Sequence, residues 1–122
     1  MGIIGKMVRS AVSVKAMQDS DKKLESLKEC SDTLYKGSSL PHLISEYVRV
    51  EKELERDEKA YNQTISRTSS SDKIREGCKG TGVSESEAYL HIGTVKKLMG
   101  NKIEENRTRK DAIERELKKY DR

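Results

Sequence analysis

The sequence contains no tryptophan and no phenylalanine, and its five tyrosines are the only aromatic residues. Hydrophobic residues make up only 33% of the 122 positions, whereas charged residues make up 38%. A globule of this size must bury enough apolar surface to offset the entropy that the chain loses on folding. The single proline and the many Glu, Lys and Arg residues favour helices over disorder. We therefore expect helices that meet along narrow apolar stripes, called seams below, or a partner that supplies the missing apolar surface.

Cysteine is scarce as well, since Cys30 and Cys78 stand alone and form no C-x-x-C pair. This spacing predicts neither a structural zinc site nor thioredoxin-like chemistry, and it is typical of a reducing compartment. Long apolar runs are also missing, because charged and polar residues interrupt the stretch from Ile3 to Val14. A membrane span needs about 20 apolar residues. We expect no secretory signal, no membrane span and a cytoplasmic location.

Acidic residues are absent from residues 1–18, a segment that carries three basic residues. On a helical wheel, the apolar residues of this arm cover one broad face, and Lys6 and Arg9 lie opposite. A basic amphipathic helix can pack on other helices or on a second copy, dock in a partner's groove, or lie on an anionic membrane. The missing Trp and Phe anchors count against the membrane. The predicted partner or membrane contacts are Ile3, Ile4, Lys6, Met7, Val8, Arg9, Ala11 and Val12.

The remaining 104 residues are almost neutral, with 22 basic and 21 acidic side chains. A general nucleic-acid binder needs a surplus of cations that displaces the counterions of the phosphates. The chain has one modest cationic stretch, which Glu104 and Glu105 interrupt and which lacks aromatic residues to stack on bases. Nucleic acid is therefore a less favoured partner. The basic residues of this stretch are Lys96, Lys97, Lys102, Arg107, Arg109 and Lys110.

Three helices can be drawn, over about residues 19–36, 39–76 and 84–121, and together they form one helical bundle over residues 19–122. Ser39 can cap the second helix, and Pro41 then falls in its first turn, where the missing N–H costs little. Ser84 and Glu87 have the spacing of a capping box. Gly37 suits the end of the first helix, because a left-handed residue commonly terminates a helix. Ser69 to Ser71 weaken the second helix, after which one more turn can form.

Apolar residues recur at helical spacing along the second and third helices. The third helix keeps its apolar residues within one narrow arc, and no alternating strand pattern occurs. The fold class expected is all-α: an elongated antiparallel helical bundle or helical hairpin with coiled-coil-like seams, plus an N-terminal amphipathic helix. The stripe of the second helix contains Leu40, Leu43, Tyr47, Val50, Leu54 and Tyr61, widened by Ile44 and Ile65. The stripe of the third contains Ala88, Ile92, Val95, Met99, Ile103, Ile113, Leu117 and Tyr120.

Two polar residues, Asn106 and Lys110, interrupt the apolar stripe of the third helix. A polar residue in a seam can fix register or oligomer number, because only one alignment gives it a hydrogen-bond partner. We predict that these two residues set the register, with a solvated helix end as the alternative. Lys110 can reach water along its stem in either case.

The remaining motifs predict no catalytic, cofactor or metal site. The glycine-rich segment from Gly77 to Gly82 lacks the spacing of a phosphate loop and follows a helix instead of a strand. Basic neighbours could lower the pKa of Cys78, although no base is placed to activate it. We therefore expect a non-enzymatic helical interaction protein, without a small-molecule substrate, that binds itself as a homo-oligomer, another protein, or both. A peripheral membrane protein and a nucleic-acid-associated protein are the two alternatives.

Overall fold

The structure, a computed structural model, describes residues 14–121. Its elements are four α-helices and a final 3₁₀ turn, and no strand occurs within these residues, so the all-α prediction is confirmed. The eight predicted contact residues of the N-terminal arm lie outside the described residues. The helices are α1 (Val14–Glu29), α2 (Leu40–Arg67), α3 (Ser71–Cys78) and α4 (Glu85–Lys118), and the 3₁₀ turn spans Lys119–Asp121.

The long helices α2 and α4 pack side by side in opposite directions, as the sequence predicts. Residues early in α2 meet residues late in α4, and the order then reverses along the pair. The contacts that fix this direction join Tyr47 to Glu114, Glu51 to Lys110, and Thr64 to Met99. Whether the seam between them has coiled-coil geometry stays a prediction.

The main core lies between these two helices at the end where α2 begins and α4 ends. Leu43, Val50 and Ile113 are fully buried there, and Tyr35 closes the cluster from the segment before α2. A second, smaller core holds α3 against the first turns of α4 through Ile74, Ala88 and Ile92. Because the chain has few large apolar side chains, its hydrophobic core is divided into two small clusters.

The first helix runs parallel to α4 and packs along it. Asn101 of α4 donates a hydrogen bond to Asp21 over 2.7 Å, and Lys28 pairs with Glu104 at 3.6 Å. Beyond the end of α1, Arg115 reaches Asp32 at 3.1 Å. α4 is therefore the central helix, because α1, α2 and α3 all pack on it.

A serine side chain caps the N-terminus of each of the helices α2, α3 and α4. Ser39, Ser70 and Ser84 each accept a hydrogen bond from the backbone N–H three residues later, at 3.2–3.3 Å. Each bond satisfies one of the amides that a helix leaves free in its first turn. The predicted caps at Ser39 and Ser84 are confirmed, and Pro41 lies in the first turn of α2 as expected.

The ends of two predicted helices differ from the structure. The first helix was expected to reach residue 36, but it ends at Glu29, and successive three-residue turns follow up to Gly37. Short polar side chains in this segment form hydrogen bonds with backbone groups that a helix would otherwise use. The Thr33 hydroxyl, for example, donates to the carbonyl of Cys30. Gly37, at φ +78°, ends these turns instead of a helix.

The helix expected over 39–76 is two helices, because the chain breaks after Arg67. The Thr68 hydroxyl donates to the carbonyl of Thr64 over 2.6 Å, and Ser70 caps a new helix. The new direction brings Ile74 onto α4, where it is buried. The acidic stretch near Asp19 lies inside α1 without a break.

Candidate interaction face

One side of the α2–α4 pair is covered and the other is open. On the covered side, Tyr35 from the segment before α2 packs with Ala112 of α4, and Glu105, Ala112 and Glu116 are each 9% exposed or less. No described helix lies over the opposite side. We call that opposite side the open face; its residues on α2 are Leu40, Ile44, Val48, Glu51, Glu55, Glu58, Tyr61, Asn62 and Ile65, and on α4 they are Tyr89, Gly93, Lys96, Gly100 and Arg107, with the buried Ile103 at its base.

Large apolar side chains are exposed at both ends of the open face. At the end where α2 begins, Leu40, Ile44 and Val48 are 38%, 51% and 45% exposed. Their spacing of four residues places them along one side of the helix. At the other end, Ile65 and Tyr89 are 38% and 48% exposed. Water therefore reaches five large apolar side chains on one side of a chain that has few of them.

A shallow groove of about 460 Å³ occupies the middle of the open face. Tyr61 and Ile103 line it, and Gly100 leaves its wall without a side chain. An ion pair bridges the groove, since Arg107 contacts Glu58 at 3.1 Å. The groove is thus apolar at its base and charged at its rim, as in a typical protein interface.

Two glycines inside α4, Gly93 and Gly100, lie seven residues apart on the open face. A Cβ atom added at either position would meet no atom within 4 Å. A glycine inside a helix costs about 1 kcal/mol relative to alanine. Packing within the chain does not require these glycines, and they leave room for the close approach of another backbone.

The predicted seam residues Asn106 and Lys110 both face α2. Asn106 is 1% exposed; it donates to Glu53 at 3.2 Å and accepts from Arg109 at 3.1 Å. Lys110 pairs with Glu51 at 3.5 Å and lies 5.7 Å from the centre of the Tyr47 ring. Both side chains therefore find partners in the observed register, and their role in setting it stays a prediction.

The basic residues of α4 do not form one patch. At about 100° per residue, the six predicted cations spread around most of the helix. Lys97, Lys102 and Arg107 also pair with acids, Asp21, Asp57 and Glu58 in turn. The modest cationic patch expected from the sequence is therefore largely neutralised by neighbouring helices, and a nucleic-acid role stays a prediction.

The pKa of Cys78 shifts in the direction opposite to the one expected. Burial raises it, and the nearby Glu85 carboxylate raises it further. The thiol packs against the small core around Ile74. Within residues 14–121, no three His, Cys, Asp or Glu side chains group as metal ligands would.

Sequence reasoning missed the open face, although it named several of its residues. Ile44 and Ile65 were read as widening the buried stripe of α2, and Val48 was not singled out. A helix buries only the arc that its neighbours cover, and Ile44 and Val48 lie about 100° and 140° from the buried Leu43 around the helix. A helical wheel of α2 places Ile44 and Val48 outside the buried arc. The packing of the neighbouring segments was needed to show which side of the α2–α4 pair stays exposed.

No protein-family model, curated protein or solved structure matches this chain. Among the described helices, none is long and apolar enough to cross a membrane.

Proposed function

We propose that this chain is a non-enzymatic helical interaction protein, which acts by binding another protein molecule through its open face. The observation that carries the proposal is the exposed set Leu40, Ile44 and Val48, continued by Ile65 and Tyr89 at the other end of the face. Leu40, Ile44 and Val48 form an exposed apolar cluster on one side of α2, and exposed apolar clusters commonly mark protein interfaces. The mixed apolar and charged composition of the face fits a non-obligate interface.

The position of these side chains also supports the proposal. They lie on the two helices that form the main core, so the packed Leu43 and Val50 hold Ile44 and Val48 in place. A rigid surface loses little side-chain entropy on binding. The proposal includes a reducing, cytoplasmic setting, which the free thiols of Cys30 and Cys78 fit.

Site-specific photo-crosslinking in the native cell tests the proposal. A photoreactive amino acid at Val48 should give a discrete protein adduct, whereas the same residue at Lys23, which is exposed on α1, should give none. Adding Ile44→Glu to the Val48 variant should remove the adduct, because a carboxylate is costly to bury in an apolar contact. Equal adducts at both positions, or no adduct at Val48, would overturn the proposal.

A further inference from the structure

We propose that residues 1–13, called the leading segment below, continue α1 as a helix and dock on the start of α4, where they cover Leu90. Leu90 is 70% exposed, the largest exposed fraction among the large apolar side chains of the described residues. It lies outside the open face, so the inference is separate from the proposed function. The occupant is this chain's own leading segment, because the described part of α1 begins beside Leu90.

The ion pairs between α1 and α4 fix the register of these two parallel helices. Lys28 pairs with Glu104 at 3.6 Å, and seven residues earlier on both helices Asp21 pairs with Lys97 at 3.2 Å. Seven residues are about two helical turns, so the same sides of the two helices meet at both levels. The register therefore repeats every seven residues along this contact.

One more step of seven residues places Val14 level with Leu90. Val14 is the first described residue, so the leading segment starts beside the most exposed of the large apolar side chains. A further step of seven pairs Met7 with Val83, which packs against the small core between α3 and α4. As a helix, the leading segment is about 20 Å long, which is enough to reach from Leu90 past Val83.

The chemistry of the two sides matches at each level of this register. The contacts of Asp21 and Lys28 with α4 join charges of opposite sign. At the next two levels α4 and its preceding loop offer apolar residues, and the leading segment offers an apolar residue at Met7. Contact between Met7 and Val83, and cover over Leu90, remove apolar surface from water and so favour the docked arrangement.

The charges at this end of the molecule also favour the leading segment as occupant. It carries two basic residues and no acid. In the first turn of α4, Glu85 pairs with Arg75 at 2.9 Å, whereas Glu87 forms no ion pair with residues 14–121. Glu87 lies one turn before Leu90 on the same side of α4. Exposed ion pairs add little stability, so this charge match guides the segment more than it holds it.

Photo-crosslinking within the purified full chain tests the inference. A photoreactive amino acid at Met7 should crosslink to residues 83–90 of the same chain, and mass spectrometry of the peptides maps the site. The matched control places the same amino acid at Gly5, which lies about 200° from Met7 around a helix and so faces away from α4. Position 7 should give several-fold more of these crosslinks than position 5. Equal yields from the two positions would show an undocked segment and overturn the inference.

A substitution on α4 tests whether Leu90 holds the segment. Leu90→Glu should lower the crosslink yield from position 7 several-fold, because a carboxylate is costly to bury in an apolar contact. Ile44→Glu is the control, since Ile44 is 51% exposed at the opposite end of the molecule, and it should leave the yield unchanged. Circular dichroism shows whether both variants keep their helices. An unchanged yield in Leu90→Glu contradicts the inference.

Other occupants give different results in the same experiment. In a mixture of chains with light and heavy isotopes, each crosslink from position 7 should join two peptides of one isotope. Mixed crosslinks would assign Leu90 to the leading segment of a second copy and overturn the inference. Vesicles that contain phosphatidylserine should leave the yield unchanged. Loss of the crosslinks on adding vesicles would show that the leading segment prefers lipid, which also overturns the inference.

Discussion

Asn106 is the polar residue whose burial the sequence indicated most directly. It interrupts an apolar stripe, and the structure buries it against α2 with Glu53 and Arg109 as partners. Its position could be predicted because the helical period is local information. Its partners could not be, because Glu53 lies 53 residues earlier and meets it only once α2 and α4 are paired.

Replacing Asn106 should separate its contribution to stability from its contribution to register. Asn106→Ala should lower the free energy of unfolding by about 1–3 kcal/mol, because it removes two hydrogen bonds from a buried site. Urea denaturation measures this loss, and Asn62→Ala, at an exposed position of α2, should change stability by less than about 0.5 kcal/mol. Asn106→Leu should keep the stability but relax the register, which would double the amide signals in NMR spectra. A single set of signals would contradict the register role.

Asp21 gives α1 a pH-dependent attachment to α4. The hydrogen bond from Asn101 lowers the pKa of Asp21 below its ordinary value of 3.8, and Lys97 lowers it further. A carboxyl whose pKa is lower in the folded chain stabilises the fold above its unfolded pKa, and this contribution is lost as the pH falls through the folded pKa.

The melting temperature of Asp21→Asn should therefore lie slightly below that of the native chain near neutral pH. The difference should start to narrow as the pH falls below about 4, and it should close once the pH passes the lowered pKa at which the carboxyl of the folded chain takes up its proton. Asp19→Asn, which alters an exposed acid two residues away, is the control and should follow the native curve. A gap that persists unchanged at low pH would show that Asp21 acts through something other than its charge.

At the scale of helices, capping signals could be predicted and helix ends inside polar segments could not. Ser39 and Ser84 precede clear apolar periodicity, so their capping role is readable from local sequence. The turns from Cys30 to Gly37 and the break after Arg67 depend on tertiary packing. In the first case Tyr35 must enter the main core, and in the second Ile74 must reach α4.

Ser84→Ala should lower the free energy of unfolding by about 1 kcal/mol, because it leaves the Glu87 amide without its hydrogen-bond partner. Ser86→Ala is the matched control: it makes the same change two residues later, inside the first turn of α4, where alanine favours the helix. Urea denaturation of both variants measures the effect. If the two variants lose equal stability, the cap at Ser84 contributes nothing.

At the scale of the whole molecule, the narrow apolar contacts between the helices and the open face both follow from the low content of large apolar residues. The chain has enough apolar residues to fill two small cores on α4, and several of its remaining large apolar side chains, among them Ile44 and Val48, stay exposed on the open face. Composition predicted that shortage and the need for further burial. Which side remains open could not be predicted, because it depends on how the segment before α2 packs on the long helices.

Radical footprinting of single side chains tests the central claim most directly, since it reads how much solvent reaches Ile44 and Val48. In the dilute purified chain, both residues should be labelled according to their exposure. In the concentrated chain or in native extract, labelling of Ile44 and Val48 should fall several-fold while that of Leu90 stays constant. Equal labelling of Ile44 and Val48 under all these conditions would contradict the account, because the open face would then bind nothing.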